Sequence, residues 1–132
     1  MPHDHRLAKR RSVKLAELRD DTFVCLRTGY GLRTLTDAFC TQAGFAPAIA
    51  FEGEEIATLR GLVAVGLGVA IIPAALAPIE SSPPQLHISE PVCQRDIGLM
   101  WEPARYQPEL TQQFRHHVIQ SFTKSNERET RS

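Results

Sequence analysis

The order of apolar runs along the chain predicts an α/β fold built on a mainly parallel sheet. Three observations carry this. Short continuous apolar runs suit strands buried on both faces. They alternate with stretches whose apolar residues recur at helical spacing. The chain has 132 residues, enough for one domain with a real core. Right-handed crossovers are the default for such an alternation.

Residues 1–13 are polar and basic, with Lys9, Arg10 and Arg11 followed by Lys14, and read as a solvated lead-in. Val13–Leu18 is a short helical or turn segment that ends at the pair Asp20-Asp21. Thr22–Leu26 (TFVCL) is the first buried strand. After the loop Arg27–Gly31, Leu32, Leu35 and Phe39 recur on one face of a helix. Gly44 stands where a left-handed terminating residue belongs, and Pro47 follows. Ala48–Phe51 is a second strand. Glu54 and Glu55 open the next helix, where acids suit the positive end of the helix dipole. Ile56, Leu59, Leu62, Val63 and Val65 give that helix a broad apolar face, and Gly66 ends it.

Val69–Ile72 is a third buried strand, stopped by Pro73, with a short turn or helix at Ala74–Ala77. Glu80–Gln85 is a loop that Pro83-Pro84 holds extended. Leu86–Ile88 is a weaker strand candidate. Arg95–Glu102 is another, with Ile97, Leu99 and Trp101 alternating. Pro108 and Glu109 open a last helix with Leu110, Phe114, Val118 and Phe122 on one stripe. From Lys124 onward no residue is apolar, and residues 124–132 are expected to form a disordered tail.

Composition narrows the function. Fifteen Lys and Arg balance fifteen Asp and Glu, so the formal net charge is zero. A module living on nucleic-acid phosphates or anionic lipid would show a basic excess. The longest near-apolar run, Gly61–Ala77, is cut by Gly66, Gly68 and Pro73, too interrupted for a membrane span. The first ten residues carry no apolar stretch typical of a secretory signal. Cys25, Cys40 and Cys93 are widely spaced, without C-x-x-C, and read as reduced thiols of a cytoplasmic protein.

Catalytic constellations are not found. The serines lie in loops, at termini or on the last helix, and there is no G-x-S-x-G elbow. His3 and His5 sit at an end expected to be floppy. His116 and His117 are adjacent on a helix and point about 100° apart, so they cannot chelate together. No metal site, cofactor or enzymatic role is expected.

Gly66 and Gly68 run from helix into strand, the wrong polarity for a phosphate loop, and read as a tight turn. The loop Thr28-Gly29-Tyr30-Gly31 has the right polarity, from strand into helix. Its amides would face out of the carboxyl edge of the sheet, where α/β folds bind ligands. A second such loop starts at Glu52-Gly53. Both are candidate ligand contacts. The alternative, a glycine-containing connection without a ligand, stays open from spacing alone.

The stretch from His5 to Ala74 resembles the effector-binding domain of LysR-type transcriptional regulators, and the likeness covers about Asp4 to Phe122, nearly the whole chain. The most specific part is Leu62–Pro73 (LVAVGLGVAIIP), similar to that family's helix–glycine–strand–Pro signature. His5-Arg6-Leu7-Ala8 resembles the family's hinge stretch, with Arg6 where Pro is usual, and Leu15–Leu18 and Phe23 also fit. The resemblance implies a type 2 periplasmic-binding-protein-like fold, in which two α/β subdomains clasp a small effector. Carried onto this chain, it makes residues 1–13 a lead-in, 14–89 the second subdomain, and 90–123 a return strand and helix of the first. Thr28, Gly29, Tyr30, Gly31, Glu52 and Gly53 would face the effector. An acid at Glu52 would disfavour a bare carboxylate and favour an amine-bearing or hydroxylated effector.

The family's helix-turn-helix is not in this sequence, so the resemblance implies a C-terminal piece. That piece would sense an effector without catalysis, without touching DNA or membrane, in the cytoplasm, as a homo-oligomer. The alternative is a stand-alone binding or oligomerisation module that pairs with itself or with a full-length regulator.

Overall fold

The computed structural model describes residues 1–74, 82–95, 106 and 108–129, with side chains as far as Phe122. The expected strand Arg95–Glu102 lies outside these residues apart from Arg95, as does the segment expected at Ala74–Ala77 apart from Ala74, while the loop expected at Glu80–Gln85 is described from Ser82 onward. Two compact units are present, Met1–Asp96 and Ile97–Ser132.

In the first unit, strand β1 (Ser12–Lys14) runs into a 3-10 turn (Leu15–Leu18) and then strand β2 (Thr22–Leu26). Helix α1 (Gly31–Gln42), strand β3 (Ala48–Gly53) and helix α2 (Ile56–Ala64) follow, and strand β4 (His87–Glu90) comes late in the unit. Both strand pairs are parallel: β2 with β3, and β1 with β4. The predicted parallel α/β architecture is therefore present, in two short ladders.

Strand β2 explains why its sequence is continuously apolar. Phe23 and Cys25 point to one side and pack with Phe39 and Cys40 of α1 and with Leu15 and Leu18. Val24 and Leu26 point to the other and pack with Leu59 and Val63 of α2. A strand alternates its faces with period two, so covering both with helices demands an apolar residue at every position. Phe23 and Val24 are fully buried. Each such burial contributes roughly 1.5–3 kcal/mol. Strand β3 is more open, with Phe51 47% exposed.

The helix stops follow the sequence. Gly44 takes φ +88° while Phe45 N–H donates to the Cys40 carbonyl, and Gly66 takes φ +84° while Leu67 N–H donates to the Leu62 carbonyl. Gly68 has a different reason. A Cβ there would stand 2.5 Å from the Thr22 carbonyl oxygen, so only glycine lets this segment approach β2.

Several expectations are corrected. Val69–Ile72 is not a full strand: it makes a single bridge, Val69 to Phe23, with Val69 N–H donating to Thr22 and Val69 carbonyl accepting from Val24. Pro73 has no amide to extend such a ladder. The lead-in is not merely solvated, because Pro2, Leu7 and Val13 are buried. His5 is not at a floppy end: its Nε2 lies 3.0 Å from Asp21 Oδ1, and its Nδ1 accepts from Leu7 N–H. Arg10 pairs with Glu17 at 2.7 Å, and Glu17 also accepts from Lys14 N–H. Hydrogen bonding to Arg10, above all, holds the Glu17 carboxyl below its usual range.

In the second unit, helix α3 spans Glu109–Glu129. It runs on past Lys124, where the sequence suggested disorder. Lys, Glu and Arg are good helix formers, and extending an existing helix avoids the cost of nucleation. Leu110, Phe114 and Phe122 are exposed on it. No helix among the described residues is long and apolar enough to cross a membrane.

Candidate functional site

The two strand-to-helix loops leave adjacent strands at one edge. Cys25 is in register with Glu52 and Leu26 with Gly53, so the chain exits β2 and β3 side by side. Arg27 N–H donates to the Gly53 carbonyl at 3.0 Å, tying the first loop to the second. The loop turns at Gly29, whose φ of +101° suits glycine, and Tyr30 N–H donates back to the Arg27 carbonyl. Thr28, Gly29, Tyr30 and Gly31 are all exposed.

Tyr30 is the N-cap residue of α1, and no side chain caps the helix start. The first amides of a helix have no acceptor within it. Those at Gly31 and Leu32 therefore open toward the outside, at the positive end of the helix dipole. Gly31 adds to this access, since a Cβ there would meet no atom within 4 Å.

Glu52 is not a free carboxylate. It is ion-paired with Arg33 of α1. The Arg33 guanidinium also donates to both Asp37 carboxylate oxygens, at 3.0 and 3.2 Å, and to the Leu26 carbonyl at 3.1 Å. Its side chain is only 13% exposed. The hydrogen bond to Glu52, first, and that to Asp37 raise its pKa further above the ordinary arginine value. Arg33 therefore locks the start of α1 to the ends of both strands. Glu54 is likewise engaged, by Arg27 at 2.7 Å. Arg33 stands two residues after the loop, but its partner Glu52 is 19 positions away in sequence. Only the i,i+4 pairing with Asp37 was readable from spacing.

Gly53 is buried against Thr58 and Leu59 of α2, so it shapes the loop from inside. The six expected site residues thus share one edge, with four exposed in the first loop and the Glu52 charge spent internally.

Cys25 and Cys40 are buried thiols. Burial pushes Cys25 up to about 11 and Cys40 to about 12, so neither carries much thiolate at neutral pH. Burial also raises Cys93, whose Sγ donates to the Pro91 carbonyl. Among the described residues, no group of three or more His, Cys, Asp and Glu could hold a metal ion.

Comparison with known proteins agrees with this architecture. Residues 1–123 match the LysR substrate binding domain. The chain is 38% identical over 123 residues to the HTH-type transcriptional regulator YybE of Bacillus subtilis, covering 93% of this chain and 42% of that protein. It is 35% identical over 127 residues to the transcriptional dual regulator GltC of the same organism, covering 94% and 42%. The chain thus spans about two-fifths of the length of these relatives. Among solved structures, the effector-binding domain of QuiR in complex with shikimate superposes with a TM-score of 0.73 at 25% identity, covering 94% of this chain and 59% of that one. Parallel ladders, the glycine turn at Gly66–Gly68 after α2 and a match over 123 of 132 residues leave one assignment: this chain belongs to the LysR substrate-binding domain family, with its periplasmic-binding-protein-like type 2 fold.

Proposed function

We propose that the chain is the effector-sensing part of a LysR-type regulator and that its effector contacts the loop Thr28–Gly31 and the neighbouring Glu52-Gly53 turn. The convergence of two strand-to-helix loops beside an uncapped helix start carries this reading. The amides of α1 suit an oxyanion or a hydroxyl oxygen, and Thr28 and Tyr30 offer hydroxyls. The relatives are transcriptional regulators, and the buried thiols lack the thiolate a nucleophile needs, which together support a non-catalytic role. On this reading residues 14–89 form the second subdomain and the chain returns to the first from residue 90.

Pairing Glu52 with Arg33 changes the class of effector to expect. An unpaired acid would repel a carboxylate, whereas this one is already neutralised. A small hydroxylated acid therefore fits the edge. The solved neighbour holds shikimate, a molecule of that class.

A panel of hydroxylated acids, simple carboxylates, amines and aromatics, read by thermal shift, tests the proposal. Shikimate and related hydroxylated acids should raise the melting temperature. Gly31→Val, whose side chain has open space in the fold, should remove the shift, and Thr28→Ala should reduce it. A shift that survives both changes would put the site elsewhere.

A second reading has its own observation. Leu110 is 77% exposed, Phe114 64% and Phe122 61%, along one face of α3. Such a stripe favours association, with another copy or with a longer regulator. Sedimentation across a concentration series tests it, and a persistent monomer would refute self-pairing.

A further inference from the structure

Residues 2–10 wind into successive turns centred on His5. Its N–H donates to the Pro2 carbonyl at 3.3 Å, and its carbonyl accepts from Ala8 N–H at 2.9 Å. Arg10 N–H donates to the Leu7 carbonyl at 3.0 Å. The ring is engaged at both nitrogens: Nε2 lies 3.0 Å from Asp21 Oδ1, and Nδ1 accepts from Leu7 N–H at 3.2 Å. The His5 side chain is only 10% exposed. Leu7 anchors these turns, since it is buried in one core cluster with Leu15, Leu18 and Phe23.

The two ring bonds assign the proton. A nitrogen that accepts from an amide carries no hydrogen, so the ring held here is neutral, with its proton on Nε2 facing the Asp21 carboxylate. A second proton has only Nδ1 to occupy. There it would point at the Leu7 N–H, leaving two donors face to face and the amide without its acceptor. Asp21 forces no such choice, because either form of the ring offers it Nε2–H. The same carboxylate is held by Arg6 Nη2 at 3.0 Å, and Arg6 also donates to the Glu17 carbonyl. The Glu17 carboxylate takes Arg10 at 2.7 Å. Among the described residues, the charged groups bonded around the ring are thus Asp21 and Arg6, with Glu17 and Arg10 beyond them. Only the Leu7 bond distinguishes the neutral ring from the charged one.

We propose that His5 is a proton-operated latch on the turns of residues 2–10. The neutral ring holds the Leu7 amide and keeps the turns wound on the core. The imidazolium lets that amide go and loosens the turns, while staying paired with Asp21. Histidine is the side chain that ordinarily gains its proton between about pH 8 and about pH 5, so the latch works in mild acid. This device lies in the turns before β1 and does not depend on the effector reading above.

The test is a pH titration of the whole nitrogen-labelled chain by NMR, from about pH 8 to about pH 5. At the upper end the His5 ring should show the Nε2–H tautomer, and the Leu7 amide should be protected from exchange. On acidification the Leu7 amide signal should move in step with the ring Nδ1 signal. Its protection, corrected for the intrinsic rate, should fall about 5-fold, as expected for one lost neutral hydrogen bond. The amides of Val24 and Cys25 in β2 should keep theirs. His5→Asn supplies an oxygen that can accept from the amide two residues on, and it does not titrate in this range, so Leu7 protection should become independent of pH. The wild-type titration decides the matter even if that variant folds poorly. The proposal is overturned if the ring is the Nδ1–H tautomer at about pH 8, if it stays neutral to about pH 5, or if Leu7 protection is absent or unchanged throughout. It is equally overturned if folded His5→Asn responds as the wild type does, or if β2 loses protection in parallel, because acid would then be unfolding the whole unit.

Discussion

Arg33 and Arg60 occupy helices on opposite faces of β2 and show two uses of the same side chain. Arg33 is 13% exposed, and its Nε and Nη1 are engaged by Asp37, by Glu52 and by the Leu26 carbonyl. Arg60 has a buried nitrogen with nothing to receive its proton. Burial alone does not distinguish an arginine that ties elements together from one with a donor unmet. The accounting of its donors does. Where the donors reach the ends of two strands, as at Arg33, the residue fixes backbone geometry, and where a buried one has no acceptor, as at Arg60, the fold carries a cost.

Opposite signs of mutation should expose the contrast. Arg33→Met should destabilise by about 2 kcal/mol, the largest effect expected here, since it strands the Leu26 carbonyl and separates Glu52 from its partner. The half-exposed carboxylates keep that figure modest. Arg60→Met should instead stabilise the ligand-free chain by about 1 kcal/mol, because it removes an unmet donor and keeps the packing stem. Urea denaturation measures both. If the two variants lose stability alike, the distinction between the arginines fails.

The thiols provide a third check on the same core. Cys25 packs on the α1 side of β2, and Cys40 on α1 itself. The fold holds them protonated up to about 11 and about 12. The unfolded chain ionises them near the ordinary value of about 8.5. Their contribution is therefore complete below that pH and should be lost progressively as pH rises toward 11 and beyond. Thiol labelling at pH 8 should accordingly be much slower for Cys25 and Cys40 in the folded chain than after denaturation. Fast labelling of either would mean that the α1 face of β2 opens readily.

The parts of this molecule that depend on neighbours in sequence were legible, and those that depend on distant encounters were not. Phe23–Leu26 announced a strand covered on both faces, and Gly44 and Gly66 announced helix ends, because each signal is local. The strand–glycine–helix order at Thr28–Gly31 likewise pointed to the carboxyl edge. Strand β1 was hidden, since three residues with a charged flank gain a partner only 75 residues later, at His87. Val69–Ile72 looked like a strand because its side chains are apolar, yet backbone pairing stops after one bridge. Glu52 looked available because Arg33 stands far from it in sequence. A cavity beside Arg60 had no sequence signal at all, being walled by segments from Met1 to Cys93.

The exposed pair Arg27–Glu54 gives the smallest expected effect and sharpens the comparison from the other side. Its contact, 2.7 Å, is a good one, yet both side chains are about 60% exposed. Water screens such pairs, and holding two long side chains costs entropy, so Glu54→Gln should change stability by less than about 0.5 kcal/mol. The same substitution at Glu52 should cost more, since its partner is held by three groups in a drier site. Raising salt to 1 M should erase the Glu54 effect and leave most of the Glu52 effect, because the Debye length there falls to about 3 Å and exposed charges are screened first. Should the two glutamates respond alike, distance would be setting the strength of these pairs, and the burial of Arg33 would lose its place as the reason the loop edge holds its shape.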